Sequence, residues 1–329
     1  MLALSAAALC GCSAQPEKYT RDIFAMDTLM SLTAYGDNAQ DALDKAAERI
    51  NALEQSLSVT IPESDISRLN SSAGATVSVG EDALTIIQKS LEISEKSGGA
   101  LDITIYPVLK AWGFTTGEYS APASEELASL LELVDYTKIH INGSTVTLPE
   151  GYSVDLGALA KGYASGCAED ILRSSGVDCA ILNLGGNVCA IGSRPDGEPW
   201  KVAVASPFED EEYLGILTVE DKFIVTSGKY ERFFIGEDGR KYHHIIDPET
   251  GYPSENGLAA VTVIGESGIE CDALSTALLV LGEEKAQEYW RKNGGFEMIL
   301  VTEDKRTIVT SGIAENFTNS SDRMTEVIN

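Results

Sequence analysis

Basic side chains are scarce in this sequence: 24 lysines and arginines stand against 51 aspartates and glutamates, a formal net charge of -27 over 329 residues. That balance repels nucleic-acid backbones and anionic lipid surfaces, and it argues against nucleic acid as a direct partner. It also means that any phosphate the protein holds needs a local cation, with Mg2+ the obvious candidate. Long apolar runs are missing as well; the small, apolar stretch Met1 to Cys12 is too short to cross a bilayer as a helix. Beyond residue 12 there are four cysteines, Cys167, Cys179, Cys189 and Cys271, and their separations match no CxxC-type metal site. They read as buried free thiols, with a Cys179–Cys189 disulfide left open. No GxGxxG follows a strand, and Walker A, GxSxG and HExxH sequences are all absent, which removes the common nucleotide, hydrolase and zinc signatures.

What is present begins with Leu9-Cys10-Gly11-Cys12 followed by polar residues, which resembles a lipoprotein signal over residues 1–12 with Cys12 as the lipidated residue. The expectation is a protein lipid-anchored at the extracytoplasmic face of the cell membrane. Residues 13–20 read as a linker, 21–317 as the folded part and 318–329 as a polar, disordered tail. The length allows one large core or two lobes sharing a cleft. Alternation over Thr28 to Tyr35 predicts a strand, and Ala42, Leu43, Ala46, Ala47, Ile50, Leu53 and Leu57 form the apolar stripe of a following helix. Further helices are expected at Glu81 to Ser97, stopped by Gly98-Gly99, and at Ala158 to Ser174. Short strands follow at Cys179 to Leu184, Val188 to Gly192, Trp200 to Ala205, Leu214 to Val219, Phe223 to Thr226, Tyr230 to Ile235 and Leu258 to Ile264. Their hairpin-length connections favour antiparallel pairing, so the predicted class is α+β, mostly antiparallel strands with packed helices.

Four constellations carry chemistry. Asp155-Leu156-Gly157-Ala158-Leu159-Ala160-Lys161-Gly162-Tyr163 joins a strand to a helix start, where free backbone groups and a Lys suit a phosphate, although such turns are often only structural. Asn183-Leu184-Gly185-Gly186-Asn187 lets backbone approach a ligand, or simply turns. His243-His244-Ile245-Ile246-Asp247-Pro248-Glu249-Thr250-Gly251 holds two of the three histidines beside a turn. Cys271-Asp272-Ala273-Leu274-Ser275-Thr276 puts a carboxylate and a hydroxyl four residues apart on one side of a helix, a hard-oxygen pair suited to Mg2+ or, more plainly, a helix cap with Thr276 back-bonding.

Together these segments resemble the ordered signature of the ApbE flavin-transferase family. The resemblance extends N-terminally to Met26-Asp27-Thr28, to Leu57 through Asn70 and to Gly99-Ala100-Leu101-Asp102-Ile103-Thr104, so that seven elements run in order between residues 26 and 276. It implies a cleft between two lobes that binds FAD as substrate, and Mg-dependent transfer of FMN from FAD to a Thr or Ser hydroxyl of a target protein with release of AMP. It further implies Mg2+ ligation by Asp272, Thr276 and the main-chain carbonyl of Ala158. The FAD contacts it implies are Met26, Thr60, Ala100, Leu101, Asp102, Asp155, Lys161 and Ile246. Lys161, His244 and Asp272 are the catalytic residues the resemblance implies, with His244 as general base because it matches the family's single constant His better than His243, an unperturbed imidazole titrating at about 6.5.

The clearest departure is Thr60, which stands where the family pattern has Tyr. An aromatic there would pack on FAD and exclude water, so Thr60 makes hydrolysis of FAD to FMN and AMP the alternative activity, with FAD storage by a lipoprotein a third reading. The acceptors implied are extracytoplasmic flavoproteins such as membrane redox-pump subunits carrying a D-x-x-[ST]-[GA]-A-T type of motif. No close copy occurs in this chain, which argues against self-modification.

Overall fold

The computed structural model describes residues 15–320 and 324–329, so that Cys12 and the expected signal lie outside the described residues. Its centre is a nine-stranded sheet whose spatial order follows the chain: Lys18–Ala25, Thr28–Tyr35, Ala180–Asn183, Asn187–Ile191, Lys222–Gly228, Leu258–Gly265, Glu297–Thr302, Thr307–Thr310 and Thr325–Ile328. Each neighbouring pair is antiparallel except the last, where Thr307–Thr310 runs parallel to Thr325–Ile328. The predicted α+β class with antiparallel strands is therefore correct.

Alternation along the strands sorts side chains to two faces. Met30, Leu32, Ala34, Val261 and Val263 face a core shared with the helices Ala39–Leu57, Glu81–Ser97, Gly157–Ser174 and Gly268–Leu281. Ala260, Ile264, Ile299 and Val301 face the other way, onto a small sheet of Trp200–Ala205, Tyr213–Val219 and Phe317–Asn319. A satellite cluster of Val108, Trp112, Phe114, Leu127 and Ile246 packs under the loops at one end.

The same alternation decides the cysteines. Cys189 lies in the helix-side core while Cys179 packs on the opposite cluster, so the two point away from each other and cannot bridge; all four described cysteines are free thiols. Two boundaries differ from the sequence expectation. Residues 18–20 are strand rather than linker, and Thr325–Ile328 is strand rather than disordered tail. Both segments are edge strands, whose exposed polar positions look like unstructured chain until the partner strand is known.

Candidate active site

Two glycine contacts assemble the site. Gly162 and Gly268 let the helices Gly157–Ser174 and Gly268–Leu281 touch backbone to backbone: a Cβ on Gly162 would lie 2.2 Å from the Gly268 carbonyl oxygen and 2.6 Å from Cβ of Asp272. That closeness brings Asp272 Oδ2 to accept the Gly162 N–H at 2.7 Å. In a regular helix this N–H serves the carbonyl four residues back, that of Ala158, so Asp272 draws on the donor the Ala158 carbonyl would use. On the opposite rim, Gly185 sits in left-handed conformation (φ 65°), and a Cβ there would strike Thr28 Oγ1 at 2.2 Å. The Asn183–Asn187 turn is thereby pressed against the hairpin joining the first two strands.

The tip of that hairpin is strained. Ala25 pairs with Thr28, and the two residues between them, Met26 and Asp27, both have positive φ (50° and 58°). Turns of this pattern normally carry Asn-Gly, and a left-handed non-glycine residue costs about 1–2 kcal/mol. Glu54 helps hold the tip, its Oε1 accepting the Met26 N–H at 2.7 Å.

Between these parts lies a cleft of about 550 Å³, within the usual range for a cofactor-sized ligand. It is lined by all the described residues expected as catalytic groups, FAD contacts or metal ligands: Met26, Thr60, Ala100, Leu101, Asp102, Asp155, Ala158, Lys161, His244, Ile246, Asp272 and Thr276. Their local settings differ. Asp102 is buried and fully engaged, one oxygen taking the Thr104 N–H and Oγ1–H at 2.8 and 2.6 Å and the other the Tyr136 N–H at 2.9 Å, so it holds the cleft wall in shape. Asp155 accepts the Gly157 N–H at 2.8 Å and orders the helix start. Burial raises the carboxyls of Asp102, Asp155 and Asp272, and for Asp155 and Asp272 the Lys161 charge partly opposes that rise. Lys161 itself makes no hydrogen bond or close ion pair among the described residues, which leaves its ammonium for a ligand. Thr60 is exposed at the mouth, its hydroxyl 2.9 Å from Ser58 Oγ.

The two histidines separate cleanly. His243 is buried away from the cleft, with Nε2 donating to the Ser254 carbonyl at 3.1 Å and Nδ1 accepting from the Ile245 N–H at 3.3 Å. His244 lines the cleft, and Nδ1 lies 3.2 Å from the Arg232 carbonyl. A carbonyl only accepts, so Nδ1 carries the proton and Nε2 keeps a free lone pair. The Phe114 ring and the imidazole meet in an edge-type arrangement, with centroids 6.3 Å and planes 65° apart. Burial, then the charges of Arg232 and Lys161, push the His244 pKa down to about 3, so the imidazole is neutral throughout the physiological range instead of titrating near 6.5.

Several cleft residues were not singled out from the sequence. The strand expected at Tyr230 to Ile235 is only Phe233–Ile235, because the chain turns at 229–232. That turn presents Glu231 and Arg232 to the cleft. Glu231 is solvent-exposed at the cleft, and desolvation raises its pKa to about 7, with Lys161 and Arg232 opposing the rise and Asp272 adding to it. Ser227, at the end of its strand, is a third. Gly228, a turn-forming residue type shortly before Glu231 and Arg232, was the available signal.

A model of the ApbE family matches residues 26–300. This chain belongs to the ApbE family. The FAD:protein FMN transferase of Treponema pallidum (strain Nichols) is 30% identical over 328 residues, spanning 93% of this chain and 90% of that protein. That of Klebsiella pneumoniae (strain 342) is 34% identical over 267 residues, 80% of this chain and 82% of its own. Among solved structures, the ApbE protein of Thermotoga maritima superposes with a TM-score of 0.85 at 28% identity, covering 91% of this chain and 99% of its own. The four segments read from the sequence as carrying chemistry, 155–163, 183–187, 243–251 and 271–276, each contribute residues to the cleft.

Proposed function

We propose that this chain is a Mg-dependent FAD:protein FMN transferase that moves FMN from FAD to a Thr or Ser hydroxyl of an extracytoplasmic flavoprotein and releases AMP. The observation that carries this reading is the convergence, in one cleft, of an unpaired lysine, a neutral imidazole with its Nε2 lone pair free, and a buried carboxylate next to a hydroxyl. Lys161 and Arg232 supply positive charge for a pyrophosphate in a protein that is otherwise strongly acidic. His244 Nε2 takes the proton of the acceptor hydroxyl as its oxygen bonds to the FMN phosphorus; the bond from that phosphorus to the bridging oxygen breaks, and AMP leaves with that oxygen. The Asp272 carboxylate, Thr276 hydroxyl and Ala158 carbonyl are hard oxygen donors that would hold Mg2+ and leave part of its shell to phosphate and water oxygens. Among the described residues no cluster of three His, Cys, Asp or Glu could hold a metal ion by itself. When bound, Mg2+ supplies charge neutralisation at the pyrophosphate.

The decisive experiment incubates the protein with FAD, Mg2+ and a candidate acceptor, and measures AMP and covalent flavin together. AMP without covalent flavin sinks transfer in favour of hydrolysis; neither product leaves FAD storage. Thr60 gives the hydrolytic reading its footing, since a small exposed side chain at the mouth leaves the cleft open to water. Thr60→Tyr is expected to lower the ratio of FAD hydrolysis to FMN transfer, and an unchanged ratio would show that this side chain does not control water entry.

Location belongs to the same proposal. With lipid on Cys12, the enzyme would sit at the outer membrane–water boundary where its acceptors, such as subunits of membrane redox pumps, present their hydroxyls. No helix among the described residues is long and apolar enough to cross a membrane. Cys12→Ser should abolish lipid labelling and shift the protein from the membrane to the soluble fraction, and continued membrane retention would overturn the anchor.

A further inference from the structure

Three hydroxyls link the core to the cleft wall. Ser275, fully buried, donates from Oγ to the Asp272 carbonyl at 2.8 Å. Ser227 Oγ lies 2.7 Å from Ser275 Oγ and 3.2 Å from Thr276 Oγ1. A hydroxyl has one proton to give. The Ser275 proton is committed to a carbonyl, which can only accept, so in its contact with Ser227 the Ser275 oxygen accepts. That contact uses the single Ser227 proton. In the remaining contact Ser227 must therefore accept, and Thr276 donates. The Thr276 proton is drawn into the protein, and its oxygen lone pairs are left for the cleft that Thr276 lines.

The direction of this chain matters chemically. A hydroxyl that meets the cleft with its proton suits a phosphate oxygen and opposes a cation, whereas one that presents lone pairs suits a hard cation. We propose that Ser275 and Ser227 are positioning residues that set the polarity of the Thr276 hydroxyl, so that Thr276 offers oxygen rather than hydrogen to a divalent cation in the cleft. This rests on the cation reading given above. It makes a buried serine that does not line the cleft a determinant of metal affinity, because without Ser275 the Ser227 proton is free to turn to Thr276 and reverse the last link.

The test is Mn2+ binding to the full chain with ADP, a pyrophosphate that carries no flavin to transfer, followed by loss of the free Mn2+ electron paramagnetic resonance signal. Ser275→Ala and Ser227→Ala should each weaken Mn2+ binding by about 10- to 100-fold, the scale for residues that orient metal ligands. Neither loss should add to that of Thr276→Ala in a double variant, since both act through the same oxygen. Ser227→Thr, which keeps the hydroxyl, should restore affinity. Melting temperatures of all variants exclude unfolding as the cause. If Asp272→Ala loses Mn2+ while both serine variants bind as wild type, or if their losses add to that of Thr276→Ala, the relay is wrong and the cation site stands. If Asp272→Ala binds Mn2+ normally, the cation reading itself fails and the relay falls with it.

Discussion

His244→Ala should lower kcat/KM for FMN transfer by about 10²- to 10⁴-fold, the usual scale for a lost general base, while FAD binding persists. The geometry gives the reason: Nδ1–H is tied to the Arg232 carbonyl, so Nε2 is the only ring nitrogen free to take a proton. His243→Ala is the internal control. His243 spends both ring nitrogens on the Ser254 carbonyl and the Ile245 N–H and does not line the cleft, so its loss should lower the melting temperature and leave the activity of folded enzyme largely intact. A pH profile sharpens the test. In the free protein the His244 pKa is held down to about 3 by burial and by Arg232 and Lys161. Because kcat/KM reports the free enzyme, it should show no acid limb from His244 between pH 5 and 7. Bound phosphates oppose the charges of Arg232 and Lys161 and favour the imidazolium, so any acid limb in kcat should lie at higher pH than in kcat/KM. The stability linkage has a definite sign too. His243 and His244 stay neutral in the folded protein to about pH 4 and 3, whereas in the unfolded chain they protonate below about 6.5. Acidification through that window therefore removes the part of the stability that depends on these two residues. An acid limb in kcat/KM near pH 6.5 that disappears in His244→Ala would contradict the neutral, depressed imidazole.

Much of this site could be read from the sequence because its residues sit in short segments with strong local constraints. The helix Glu81–Ser97 ends where Gly98 and Gly99 take left-handed φ of 66° and 88°, a stop that glycine announces by itself. The Asp155–Tyr163 and Cys271–Thr276 segments are helix starts and helix faces whose spacing survives folding. What escaped was set by tertiary context. Nothing in the sequence says that Asp272 draws on the Gly162 N–H, since that depends on two helices meeting at Gly162 and Gly268. Likewise Glu231 and Arg232 read as strand because aromatic neighbours favour strands, and only the turn at 229–232 aims them at the cleft. The depressed His244 pKa is a property of the surrounding charges. The preference for His244 over His243 came from the family resemblance, and its titration was not legible at all.

Asp272→Ala should abolish both FMN transfer and FAD hydrolysis and leave an intact fold, because both reactions need charge neutralised at the same pyrophosphate. Asp272 is 4% exposed and pushed upward in pKa by burial, so the protein keeps a desolvated carboxylate at a cost to stability. Its one hydrogen bond, from Gly162 N–H, can be replaced by the helix's own Ala158 carbonyl, so the variant should melt at or above the wild-type temperature. Retained stability with lost activity separates a functional carboxylate from a structural one. On a chain of net charge -27, loss of the cation leaves the FAD phosphates in a repulsive field that Lys161 and Arg232 offset only in part. FAD affinity in Asp272→Ala should therefore become insensitive to Mg2+. Chelation of the wild type should reproduce the defect, and excess Mg2+ should rescue the chelated wild type but not the variant. Thr276→Ala should be milder, since a neutral hydroxyl contributes less to a hard dication than a carboxylate and water can replace it. The measurement is AMP release against Mg2+ concentration for the three proteins, with circular dichroism for folding. A folded Asp272→Ala that releases AMP at the wild-type rate, with the wild-type Mg2+ dependence, would place the cation elsewhere and remove the basis for the mechanism.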